Sequence, residues 1–265
     1  MIEFNIFDGG KPMAATMSFD DGVIPDRRLI SIFDKYGIKG TFHLNSGLFS
    51  TPNRVEAADV REIYKNHEVA LHGREHLTLT ELPVHNMAVE VFEDKKSLEA
   101  LCKYPIIGMS YANGAYDERV LRVLSDCGVK YSRTVWDTGR FILPEEFLRW
   151  HPTCHYIKSE RLADEFIRKA EPAHCFMFGD THMNLTGTII GILLKMCAKN
   201  YRSVIISGLP QTHRYTIMLP LSAGLLSPPI TRLSITRRFA MYGFAATVSP
   251  SGFAAGRRYI CDLIL

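Results

Sequence analysis

The 265-residue chain is 46% hydrophobic and 22% charged, with a formal net charge of +3 at pH 7. This composition excludes a disordered or fibrous chain and suits one or two globular domains, a size range in which α/β barrels are common. No apolar stretch is long enough to cross a bilayer, LTGTIIGILL at 185–194 included, and no basic segment followed by an apolar one opens the sequence, so no membrane partner is expected and the expected location is cytoplasmic.

In chain order, Ala14–Phe19 reads as a strand and Pro25–Tyr36 as a helix with Leu29, Ile30 and Phe33 on one face. Gly40–Leu44 is a second strand, Ala57–Lys65 a weaker helix and Glu68–Leu71 a third strand. Val84–Lys103 shows helical spacing through Met87, Val91, Leu98 and Leu101, and Ile106–Tyr111 is a fourth strand. Helices follow at Glu118–Ser125 and Leu162–Lys169, with a last apolar strand at Cys175–Phe178. Strands alternating with amphipathic helices predict a parallel sheet or barrel. No GxGxxG or GxxxxGK[ST] follows a strand, which removes the main support for a nucleotide fold. The six cysteines (Cys102, Cys127, Cys154, Cys175, Cys197, Cys261) form no CxxC pair and read as reduced, buried thiols.

Polar residues just after the strands are the ones to inspect, because sites of such folds collect at strand C-terminal ends. The first strand ends in SFDDG, delivering Asp20 and Asp21 side by side onto a glycine. Alone this is good turn chemistry. Two carboxylates this close also divide roles readily, one neutralised by a cation and the other free as a base. His43 and Asn45 end the second strand, and HEVALHGREH places His72 and His76 four residues apart after the third. A lone HxxxH is common on surfaces. Beside an Asp-Asp strand end, two imidazoles and one carboxylate make a three-ligand zinc set with a fourth position open.

SFDDG, HxxxH and then YANGAYD, each after a strand and in this order, resemble the polysaccharide deacetylase family, also called the NodB homology or carbohydrate esterase family four. The resemblance spans about Met13 to His155. It implies an α/β fold, a distorted (β/α) barrel of about seven parallel strands, and metal-dependent removal of an N-acetyl group from a sugar or oligosaccharide. It makes Asp20 the catalytic base and Asp21, His72 and His76 the metal ligands. The ion is zinc, or another divalent metal such as cobalt, manganese or iron. Tyr111, Asn113 and Trp150 become substrate-binding residues, with a backbone N–H near Asn113 as oxyanion donor. The oligomeric state is not legible.

Two departures stand out. Gly73 follows the first histidine where the family has Ser or Thr. The third motif, normally Arg-x-Pro-Tyr-Gly, is Ser110–Gly114 here, so the arginine that would orient the base is absent at Ser110. A core position for Trp150 is as natural as a pocket wall.

The last third differs in kind. Residues 1–180 carry a net charge of −5, whereas residues 181–265 carry +8 and, apart from Asp262, no acid. The arginines there form no stripe and no aromatic interleaving, so no nucleic-acid partner is expected. Read one nucleotide back from His174, permitted codons spell LFHVWGHSHEFDRDNNWDIAENV, a mixed-charge segment with the WGHS-type fifth motif of the family. The expected organisation is therefore a barrel domain over 1–180 and an atypical basic segment over 181–265 that reads as out of frame, with the last barrel element disrupted and its edges open. In the chain as written the general acid falls to His174 or His182, and His182 is the candidate carried forward. Weak metal binding and little turnover are expected. The alternative functions are an amidohydrolase acting on a non-sugar amide, and a non-catalytic carbohydrate-binding relative or inactive relic.

Overall fold

The computed structural model describes Phe7, residues 13–169 and 174–180, and the backbone of short strands at 204–206, 245–249 and 260–264. β1 (Met13–Asp20) is buried along its length apart from its first residue, as expected of a central parallel strand covered on both faces. α1 (Asp26–Tyr36) buries Leu29, Ile30 and Phe33 and stops at Gly37, whose φ of 67° favours glycine. β2 (Thr41–Leu44) follows, then α2 (Val60–Ile63) and β3 (Glu68–Leu71). α3 (Val84–Cys102) leads to β4 (Gly108–Ser110). α4 (Glu118–Asp126) is capped by the Asp117 carboxylate, which accepts from the N–H groups of Arg119 and Val120. β5 (Tyr131–Arg133), β6 (Cys154–His155), α5 (Ser159–Lys169) and β7 (Cys175–Asp180) complete the series.

The strands are parallel, in the order β5-β4-β3-β2-β1-β7-β6. The two ends of this sheet meet. Trp150, just ahead of β6, forms a parallel bridge with Arg133. Its N–H donates to Ser132 O at 3.0 Å and its carbonyl accepts from Thr134 N at 2.9 Å. The result is an α/β distorted barrel of seven parallel strands. β8 (Val204–Ile206) adds to Met13–Ala15 of β1, and β9 (Ala245–Ser249) pairs antiparallel with β10 (Ile260–Ile264). Among the described residues no helix is long and apolar enough to cross a membrane.

Strand periodicity separates two cores. Phe19, Phe42, Leu71, Phe176 and Phe178 face the helices, while Ala14, Tyr131, Trp150, Cys175 and Met177 pack together as a second, smaller cluster. Gly108 is required there, because a Cβ would collide with the Tyr131 ring. β5 and β6 were not foreseen in the sequence, being three and two residues long with polar Ser132, Arg133 and His155 among them. The strand expected at Cys175–Phe178 is β7, which pairs with β1 over Ala14–Phe19 and with β6 on its other side. His182 and nearly all of the basic segment lie outside the described residues.

Candidate metal and acid–base site

A polar layer crosses the barrel at the C-terminal ends of β1 to β5. Ser18, Asp20, His43, His72, Ser110 and Arg133 are each at most 5% exposed. His43 Nδ1 lies 3.2 Å from Leu71 O and Nε2 2.8 Å from Ser18 Oγ. A carbonyl can only accept, so Nδ1 carries the proton and the Ser18 hydroxyl donates to Nε2. Ser18 Oγ in turn accepts from Arg133 Nε at 2.7 Å. Burial pushes His43 down to about 3, despite the opposing pull of Asp20, and the ring is neutral.

Asp20 ends β1 in this layer. Arg133 Nη2 donates to both of its carboxylate oxygens, and Ser110 Oγ donates to Oδ1 at 2.9 Å. Burial alone would raise the Asp20 carboxyl. The Arg133 guanidinium, with His72 and His43, outweighs it and holds the group well below the usual carboxylate range. The arginine missing at Ser110 is thus supplied by Arg133, one strand along, and Ser110 itself bonds the base. The sequence does not single out Arg133, because β5 is too short to show a period and its neighbours Ser132 and Thr134 are polar.

Asp21 turns away. Its φ of 82° is left-handed, and Gly22 follows at 62°. Asp21 Oδ1 stands 4.0 Å from His72 Nε2 and 3.8 Å from His76 Nε2, and the three ligand atoms lie within 4.8 Å of one another. His72 Nδ1 faces Ser110 O at 3.0 Å, so its proton is on Nδ1 and Nε2 holds a bare lone pair. Burial, and to a lesser degree His76, lowers the His72 pKa, which keeps the ring neutral. His72 Nε2 and Asp21 Oδ1 are both buried and lack a hydrogen-bond partner. Arg54 Nη1 stands 3.0 Å from Asp21 Oδ1 but directs its hydrogen bond to the Asp21 carbonyl. Two acceptors that face one another without a proton between them fit a cation.

α3 holds this ligand loop in place. Glu90 Oε1 accepts from Glu75 N at 2.7 Å and Leu77 N at 3.4 Å, on either side of His76. Asp94, one turn on, accepts from Ser46 N at 2.8 Å and His72 N at 3.3 Å. Gly73 answers the first departure: its φ is 80°, and a Cβ there would stand 3.1 Å from Glu90 Oε1.

Two expected substrate residues are placed elsewhere. Tyr111 is 2% exposed with its hydroxyl on Leu148 O, and Trp150 is 2% exposed, packed edge-on against Tyr131 and Phe147. Both pack where aromatic area is best buried. Asn113 is exposed and donates to Thr78 Oγ1 at 2.8 Å. The aromatic surface at this end is instead Trp136, 60% exposed on the loop after β5, stacked on His151 at 5.5 Å and beside Tyr116 at 6.0 Å.

The structure is thus an α/β distorted barrel of parallel strands with a two-histidine, one-aspartate cluster at their C-terminal ends. The family model described as Polysaccharide deacetylase matches residues 8–132 of the chain. Solved structures agree on the fold. A candidate polysaccharide deacetylase from Mycobacterium smegmatis superposes with TM-score 0.59 at 15% identity, covering 79% of this chain and 92% of that one. A family 4 carbohydrate esterase from Streptomyces lividans, in complex with acetate, gives 0.52 at 15%, covering 74% and 92%. A CE4 family pseudoenzyme from Bacillus anthracis gives 0.51 at 16%, covering 74% of this chain and 64% of that one, so the chain spans less than two thirds of that relative's length. No curated protein matches the sequence.

Proposed function

We propose that the chain is a metal-dependent deacetylase that removes an N-acetyl group from a sugar or oligosaccharide. One observation carries this reading: two buried lone-pair donors, His72 Nε2 and Asp21 Oδ1, face one another without hydrogen-bond partners, Arg54 standing 3.0 Å from Asp21 Oδ1, while the adjacent acid Asp20 is held apart by Arg133 and Ser110. Asp21, His72 and His76 would hold a divalent cation, zinc or else cobalt, manganese or iron. Such an ion supplies Lewis acidity to the acetamide carbonyl and lowers the pKa of water. Asp20, ionised and fixed in direction, takes a proton from the water that adds to the carbonyl carbon. The carbon–nitrogen bond then breaks, acetate leaves, and the amine departs with a proton. Backbone N–H near Asn113 offers the oxyanion a donor, and Trp136 with Tyr116 offers a sugar ring a flat apolar face. The proton for the amine is assigned to His182. The location is cytoplasmic.

A second reading is favoured by β7. Among the described residues its inward positions Cys175, Met177 and Gly179 bring no acid to the layer, as a non-catalytic carbohydrate binder would tolerate. The CE4 pseudoenzyme shows that this fold exists without activity. Acetate release from N-acetylated chito-oligosaccharide, with added Zn²⁺ and with chelator, separates the two. Release that needs the metal supports the deacetylase; saturable binding with no release selects the binder.

A further inference from the structure

We infer that Arg54 makes the metal-loaded site selective for an N-acetyl sugar that carries an oxyanion group, a carboxylate or a phosphate. This rests on the reading of Asp21, His72 and His76 as a metal site and adds a substrate class to the deacetylase reading. Arg54 reaches Asp21 from the loop after β2. The backbone around it is pinned to the turn after β1: Arg54 forms an antiparallel bridge with Val23, Val55 N donates to Gly22 O at 2.9 Å, and Ile24 N donates to Asn53 O at 2.9 Å. The polar contacts of the guanidinium use one nitrogen. Nη1 donates to the Asp21 carbonyl, faces Asn45 Oδ1 at 3.5 Å and stands 3.0 Å from Asp21 Oδ1. Asn45 is oriented for this by its own Nδ2, which donates to His72 O at 2.9 Å and Gly73 O at 2.7 Å. Among the described residues Arg54 Nε and Nη2 meet no acceptor, and the side chain is 19% exposed.

Asp21 therefore faces two cations when the site is loaded. Its single negative charge cannot neutralise both, and a dication on Oδ1 draws that charge away from the arginine. Arg54 is then left with two neutral acceptors, the Asp21 carbonyl and the Asn45 amide. The neighbouring carboxylates are engaged elsewhere. Asp20 is held by Arg133 and Ser110, and Glu90 and Asp94 are turned onto backbone N–H groups. Asp26 takes the Tyr64 hydroxyl, and burial pushes its carboxyl up to about 8, so it brings no charge at neutral pH. By contrast, the surface arginines Arg27, Arg119 and Arg149 each keep a carboxylate, on Asp59, Asp117 and Glu146. A guanidinium that is fixed in place, partly open and short of an anion recognises a planar carboxylate or a phosphate through parallel donors, here Nε and Nη2. A neutral sugar leaves that charge unmet. An arginine that only held the Asp21 turn would show no preference among ligands.

The test is calorimetric titration of the full, Zn²⁺-loaded chain with N-acetylglucosamine, its phosphate monoester and the corresponding N-acetylated uronic acid, with acetate release followed on the same three compounds. The wild-type chain is expected to bind at least one acidic sugar about tenfold more tightly than the neutral one, and the tighter of the two identifies the oxyanion. Arg54→Gln, which keeps an amide donor without the charge, should abolish this preference. Arg54→Lys keeps the charge without the fork and should reduce it, and serves as the test if Arg54→Gln does not fold. Removing Zn²⁺ with chelator should also abolish the preference, because Asp21 then returns to Arg54. The readout is a ratio of affinities on one protein, which a merely structural role would not move. Equal affinities for neutral and acidic sugars in the wild-type chain, or a preference that survives undiminished in Arg54→Gln or Arg54→Lys, overturns the inference. Preferential binding of an acidic sugar without acetate release removes the deacetylase reading and leaves the inference standing. Acetate release with equal affinities does the reverse.

Discussion

His43 is neutral because of what surrounds it. Leu71 O takes its one proton, Ser18 donates to its other nitrogen, and Arg133 donates to Ser18 in the same direction, so a second ring proton would meet a donor. The unfolded imidazole titrates near 6.5 and the folded one at about 3, so the unfolded state binds more protons between these values. Stability tied to His43 is therefore full above pH 6.5 and falls as pH drops toward 3, by up to about 1.4 kcal/mol per pH unit. Urea midpoints from pH 7 to 4 should show this slope, and His43→Asn should flatten it; an unchanged slope contradicts the assignment. The two tryptophans make an opposed pair at the same scale. Trp136→Ala should raise the KM for chito-oligosaccharide about tenfold, roughly 1.4 kcal/mol, with the melting temperature unchanged. Trp150→Ala should cost about 3–5 kcal/mol of stability. Kinetics and thermal melts on both variants check this. The sequence alone singled out Asp20, Asp21, His72 and His76 because Asp-Asp-Gly and HxxxH are compact patterns at strand ends. It put forward Trp150, which is buried, rather than the exposed Trp136, because residue type and spacing do not say which tryptophan faces water.

Among the elements, α3 carries the least obvious part of the site. Met87, Val91, Asp94 and Leu98 share its buried face, and an acid in an apolar stripe is costly unless backbone N–H groups meet it. Glu90 and Asp94 meet the N–H groups of Glu75, Leu77, Ser46 and His72, so they fix the loop that carries both imidazoles. That interruption is visible in the sequence. Glu90→Ala should weaken Zn²⁺ binding about 10- to 100-fold, whereas Glu90→Gln, whose carbonyl still accepts both bonds, should stay near wild type. Chelator competition distinguishes them, and equal affinities for the two variants would contradict the role. β5 and β6 escaped the sequence because two or three residues cannot display a period of two. With β5 went Arg133, the group that replaces the arginine missing from position 110.

For the molecule as a whole, the barrel closes through the Trp150 bridge and through β7, and closure brings residues from β1, β3, β4 and β5 to one end. The strand-end motifs made this architecture readable from Met13 to His155, and the net charge changes from −5 over residues 1–180 to +8 over residues 181–265. The account predicts a site whose metal-binding and proton-transfer functions are separable on adjacent residues. The most direct test is Zn²⁺ stoichiometry measured together with acetate release for the wild-type chain, Asp20→Asn and Asp21→Asn. The account predicts one Zn²⁺ for wild type and Asp20→Asn, acetate release from wild type alone with Asp20→Asn reduced by about 100-fold or more, and no stoichiometric Zn²⁺ for Asp21→Asn. Loss of Zn²⁺ from Asp20→Asn with retention by Asp21→Asn would reverse the two roles and contradict it.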